Sequence, residues 1–170
     1  MKTRRNYLKI STLFLISSIA LFNLTSCASS KQNSWLAAHK NALSEAANSK
    51  TMKPEEKADI MMGHYAEMMD EGLKFVNPVK GVKFITKYQE QNKASIDKIV
   101  GESNGWVSNL NTMQGIDLGL RVAKKPYIPK YIELVPKFKK KYNQYKFIMD
   151  MTGKVVGAFG KIGKLAALAF

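Results

Sequence analysis

The chain has 170 residues, 27 Lys and Arg against 13 Asp and Glu, and one cysteine. A single cysteine excludes an internal disulfide framework and any zinc site built on cysteine sets. Haem-attachment, nucleophile-elbow and phosphate-loop motifs are also absent, so nothing points to catalysis and the expected role is non-catalytic.

The chain opens on MKTRRNYLK, with Lys2, Arg4, Arg5 and Lys9 and no acid, followed by the fifteen-residue apolar run Ile10 to Leu24. Basic then apolar is the layout of an export signal. A spanning helix needs about twenty apolar residues, so the run is short for a permanent one. The run ends in Leu24-Thr25-Ser26-Cys27, and Cys27 is the only thiol. This stretch resembles the lipobox of bacterial lipoproteins. The resemblance implies cleavage before Cys27 and a covalent diacylglycerol on its sulfur. It also implies an N-acyl chain such as palmitate on the new N-terminus. Residues 1–26 are then the signal peptide, residues 27–34 the lipidated cysteine and tether, and residues 35–170 a single helical domain.

The motif TRRNYLK, Thr3 to Lys9, is similar to the twin-arginine export signal, with Tyr7 where phenylalanine is usual. Arg4 and Arg5 would then mark export of the folded chain. The general secretory route, with the arginines as ordinary signal charge, stays equally open. Ala28 follows the cysteine; by the same lipoprotein resemblance, the lack of Asp there favours the outer membrane, facing the periplasm, in a Gram-negative host.

Beyond the tether, helical spacing recurs and strand alternation does not, which predicts an all-α compact bundle of four to six helices. A first helix is expected over Ser34 to Asn48, with Trp35, Ala38, His39, Ala42, Leu43 and Ala46 inward. Pro54, Glu55 and Glu56 start a second. Its stripe is Met61, Met62, Tyr65, Met68, Met69, Leu73 and Val76. Asn77-Pro78 ends that helix and caps a third, with Val82, Ile85, Gln89, Asn92, Ile96 and Ile99 inward. GESNG, Gly101 to Gly105, reads as a turn. A fourth helix is expected from Trp106 to about Leu120, with Trp106, Leu110, Met113 and Leu120 inward.

KKPYIP, Lys124 to Pro129, reads as a break. A fifth helix is expected over Lys130 to Met151, with Tyr131, Val135, Phe138, Tyr142, Tyr145 and Met149 on one face. Pro136 either kinks or starts it. In the glycine-rich tail from Thr152, Gly153, Gly157 and Gly160 share one stripe with Lys154, Lys161 and Lys164 beside it. Such a helix either closes the bundle, with another backbone close to its glycines, or lies at a bilayer surface.

Charge is unevenly placed. Residues 28–117 hold 11 basic and 11 acidic residues, whereas residues 118–170 hold 12 basic residues against Glu133 and Asp150. The excess fits an anionic surface or a partner protein; export argues against nucleic acid. Lys137, Lys139, Lys140, Lys141, Lys154, Lys161 and Lys164 are the candidate contacts. The competing reading of the fifth segment is a buried tyrosine stripe with its lysines in water. A different class of function, a cofactor- or metal-binding bundle exported folded, rests on Met61, His64 and Met68, whose helical spacing and soft donors suit copper. Methionines so spaced are also ordinary core filler. The preferred expectation is an envelope lipoprotein with no bound cofactor, held in the bilayer by its acyl chains and serving an envelope assembly or anionic polymer.

Overall fold

The computed structural model describes residues 30–167, and the described residues form helices and no strand. The signal peptide, Arg4, Arg5, the lipobox and Cys27 lie outside the described residues. The helices are α1 (30–48), α2 (Pro54–Lys74), α3 (Pro78–Ser108), α4 (Thr112–Ala123), α5 (Tyr127–Tyr142) and α6 (Lys146–Ala167). The all-α expectation holds. The chain divides into a unit ending at Ala38 and a unit running from His39, and the packing described below is that of the second.

Local chemistry sets the starts of the helices. Pro54 opens α2 at a position whose N–H has no helical partner, and Glu56 reaches back to accept from the Lys53 N–H at 2.9 Å. Asn77 caps α3 as its sequence predicts, accepting from the Val79 N–H at 2.9 Å. Asn111 and Gln114 cap α4 reciprocally, each side chain accepting from the other's backbone N–H.

Cross-helix pairs give the topology. Lys57 meets Glu102, Tyr65 meets Gln89 and Phe75 meets Phe84, so α2 and α3 run antiparallel. Gln89 meets Ile148 and Asp97 meets Lys154, so α6 runs parallel to α3. Asp59 accepts from Lys125 and Tyr127, while Gly72 accepts from Tyr142, so α5 runs parallel to α2. The short helix α4 packs along α6.

The core lies between α2, α3, α5 and α6. Met61, Met62, Tyr65, Met68 and Met69 of α2 are buried, with Ile85, Tyr88, Ile96 and Ile99 of α3. Tyr131, Leu134, Phe138 and Tyr142 of α5 and Ile148, Met151 and Val155 of α6 complete it. A polar thread runs through this apolar mass. Gln89 Nε2 donates to the Tyr65 hydroxyl at 2.7 Å, and that hydroxyl lies 3.0 Å from Thr152 Oγ1. Thr152 Oγ1 in turn donates to the Ile148 carbonyl at 2.7 Å. Burial pushes the Tyr65 phenol well up, so it stays protonated.

Several predicted boundaries are corrected. GESNG is not a turn: α3 continues through it to Ser108, and the turn falls at Asn109 to Asn111. Two interior glycines cost about 1 kcal/mol each against alanine, but Ser103 is buried and Glu102 pairs with Lys57, so the helix face continues. Met113 and Leu120 point outward, at 74% and 38% exposure, while Leu118 and Val122 are buried against Trp106, Val107, Leu110 and Ile128. The inward face of α4 therefore steps through Gly115, Leu118, Gly119 and Val122. Ala38 is exposed, and Val76, at 98% exposure, lies beyond the end of α2.

The predicted fifth segment is two helices. α5 starts at Tyr127, inside the expected break, because Pro129 falls in the first turn, where proline costs no helical hydrogen bond. Pro136 sits inside α5. The chain leaves the helix after Tyr142, and Tyr145 caps the turn into α6, accepting from the Met149 N–H.

Close approach decides the packing of α5 at Gly72 and Gly81. A Cβ on Gly81 would lie 2.3 Å from the Tyr142 hydroxyl oxygen, which donates to the Gly72 carbonyl at 2.6 Å. Gly81→Ala gains about 1 kcal/mol of helix propensity but displaces this buried hydroxyl, an overpacking cost of about 1–3 kcal/mol plus a lost hydrogen bond. A net loss of about 1–3 kcal/mol is expected in urea unfolding. Adding Tyr142→Phe should recover part of it, and simple additivity of the two changes would refute the clash.

Candidate functional site: the basic face and the histidine pair

The structure sorts the C-terminal cations into those used inside the fold and those left at its surface. Arg121 pairs with Glu55 and Asp117, and Lys125 pairs with Asp59. These contacts hold α4 and the start of α5 to the first turns of α2. Lys141 donates to the carbonyls of Leu73 and Phe75 at 2.8 and 2.6 Å, where α2 ends. A cation there satisfies acceptors the helix leaves open and opposes the negative end of its dipole. Lys154 reaches Asp97 on α3 at 2.9 Å, and Lys137 pairs with Glu133 one turn back on α5. Lys93 and Lys154 together hold the Asp97 carboxyl below its ordinary value.

Lys139 and Lys140 remain exposed with no ion pair among the described residues, as does Lys130, which the sequence reading did not single out. All three are exposed on α5: Lys140 lies opposite buried Tyr131, Phe138 and Tyr142, and Lys130 and Lys139 lie on the two flanks of that buried stripe. Ile132, also on α5, is 72% exposed. The side chains of Lys161 and Lys164 lie outside the described residues. Of the five candidate lysines whose side chains are described, Lys139 and Lys140 are therefore both exposed and without an ion pair among the described residues. The aromatic stripe of α5 is core, as its spacing allows, with the lysines on other faces.

The glycine stripe behaves differently from its expectation. A Cβ at Gly153, Gly157 or Gly160 would meet no described atom within 4 Å, and Gly153 and Gly157 are exposed. No backbone of the described residues approaches there. The opposite side, Ile148, Met151, Thr152, Val155 and Ala158, is buried, so this part of α6 closes the bundle. Among the described residues, no helix is long and apolar enough to cross a membrane. A groove of about 480 Å³ between α3 and the start of α6 carries one acid, Glu90, and one base, Lys146, and so presents no single charge sign.

The second cluster is built on the two histidines. His39 comes from the middle of α1 and is buried; His64 comes from α2 and is half-buried. Their Nδ1 atoms are 2.9 Å apart, and His39 Nε2 is 3.4 Å from a Glu67 carboxylate oxygen. One nitrogen of the close pair must carry a proton and the other must not. The arrangement that satisfies both contacts has His39 donating through Nε2 to Glu67 and accepting at Nδ1 from His64; this tautomer is inferred from the contacts. Burial and the neighbouring His64 lower the His39 pKa to about 4. Burial also lowers that of His64, against the opposing pull of Glu67. Both rings are thus neutral at pH 7. The Tyr88 ring packs edge-on to His39, with centroids 5.9 Å apart.

Of the predicted soft-donor set, Met61 and Met68 are buried in the core at 1% and 0% exposure, and the partners of His64 are His39 and Glu67. The contribution of His39 was hidden from periodicity, which placed it on an inward face 25 residues from its partner. The only signal was that these are the two histidines of the whole chain. Glu67 was legible as the residue one turn after His64. Comparison of the chain with protein-family models, curated proteins and solved structures finds no match.

Proposed function

We propose that the chain is a non-catalytic, lipid-anchored protein of the cell envelope whose helical domain engages an anionic surface through α5. Cys27 carries the acyl anchor, and in a Gram-negative host the domain faces the periplasm from the outer membrane. The observation that supports the binding face is the division of the cations. Arg121, Lys125, Lys141 and Lys154 serve contacts between helices, whereas Lys130, Lys139 and Lys140 are exposed with no ion pair among the described residues. A diacyl anchor holds a protein to a bilayer without help, so these lysines are assigned to recognition.

Deleting the tail from Gly153 would remove buried Val155 and Ala158 and unfold the bundle, so charge substitution is the sounder test. The acyl-free chain starting at Ala28 is mixed with vesicles containing phosphatidylglycerol and, in parallel, with neutral vesicles. Each lysine near an anionic surface contributes about 1 kcal/mol, so Lys130→Gln, Lys139→Gln and Lys140→Gln together should weaken partitioning about 100-fold at low salt. Equal binding by the folded triple variant and the parent would sink this reading.

A further inference from the structure

The geometry points to a divalent transition-metal site, distinct from the basic face, formed by His39, His64 and Glu67. One donor atom from each of the three residues lies within 4.8 Å of the others. Two imidazole nitrogens and one carboxylate oxygen are a ligand set for Zn²⁺ and its first-row neighbours. Nitrogens bound to one zinc at a tetrahedral angle stand about 3.3–3.4 Å apart, so the 2.9 Å between the Nδ1 atoms must open by only about half an ångström.

In the inferred tautomer His64 is protonated at Nδ1 and bare at Nε2, so binding moves that proton to Nε2 by exchange with solvent. The ring then ligates as neutral imidazole with no net proton released, and the ion takes the proton's place between the two rings, raising the charge of the site by two. His64 and Glu67 are three apart on α2 and therefore face the same side. His39 is held opposite them from α1, its ring fixed by burial and by Tyr88. The side chain of Glu67 is 54% exposed, which opens the site to ions and leaves room for water as a fourth ligand. The buried sulfurs of Met61 and Met68 are not required. A hydrogen-bonded histidine pair with a purely structural role is the competing account, and it predicts no stoichiometric metal uptake.

The test uses the full chain in detergent with Cys27→Ser, so that its one thiol cannot bind metal. Co²⁺ is titrated while its visible ligand-field bands are followed, and Zn²⁺ is then added in competition. One Co²⁺ per chain, displaced by one Zn²⁺, is expected. His64→Ala should abolish the bands. Glu67→Gln, at an exposed position that leaves the core intact, should weaken Co²⁺ binding at least tenfold, the lower end of what losing even an outer-shell partner costs. Circular dichroism checks folding. Absence of saturable binding by the folded parent, or the same affinity in the folded Glu67→Gln chain, overturns the site. Should His64→Ala fail to fold, the Glu67→Gln result alone decides.

Discussion

Phe138→Ala is expected to lower the unfolding free energy by about 3–5 kcal/mol, the range for deleting a fully buried aromatic ring. The Phe138 ring is inaccessible to solvent and lies against Gly72, where an added Cβ would come within 3.3 Å of it. It also packs on Tyr142, with ring centroids 4.9 Å apart. The cavity left would sit where α5 meets α2, and helix backbones on both sides limit its collapse. Ile132→Ala on the same helix removes a side chain that is 72% exposed and should change stability by less than about 0.5 kcal/mol. Urea unfolding of the two variants compares burial with composition on one helix. Equal losses would show that α5 is not seated as described.

Acidification of the metal-free chain should be the second large effect. The His39 pKa is lowered from 6.5 to about 4, so the native state keeps the ring neutral while the unfolded chain protonates it. The unfolded state then binds more protons, and stability falls as pH drops from about 6.5 to about 4, at up to about 1.4 kcal/mol per pH unit. Above that window the contribution is fully present; below it the loss levels off. The full cost approaches about 3 kcal/mol, each pKa unit being about 1.36 kcal/mol. The groups facing this ring are His64 and Glu67 from α2 and Tyr88 from α3. The lowered pKa of His64 acts in the same direction. Carboxylates titrate below about pH 5, so the informative comparison is between pH 7 and pH 5. Unfolding midpoints of the parent should fall over that interval and those of His39→Gln should fall less. Parallel slopes would refute the assignment.

The caps show how local chemistry is read from sequence. Asn77-Pro78 ends one helix and starts the next because both effects act within three residues of chain. The α3 stripe of Ile85, Gln89, Asn92, Ile96 and Ile99 is buried as its spacing requires, including its two amides. Gln89 is buried because Tyr65 and the Ile148 carbonyl, 24 and 59 residues away, accept from it. GESNG failed as a turn for a related reason. Glycine and asparagine weaken a helix locally, and only Lys57 across the α2–α3 interface and the burial of Ser103 keep α3 going.

What the sequence determined by itself is what depends on near neighbours: an all-helical chain, its caps, its apolar stripes and the charge asymmetry of its last third. Tertiary structure decided what depends on residues far apart in the chain. It spent Arg121, Lys125, Lys141 and Lys154 on helix junctions, because open carbonyls and carboxylates of α2 and α3 lie within their reach. It turned Gly153 and Gly157 of α6 to the surface. It also brought His39 to His64, because the packing of α1 and α2 sets the two imidazoles against each other. Periodicity assigns a residue to a face, whereas the partner it meets there is set by the packing of another helix.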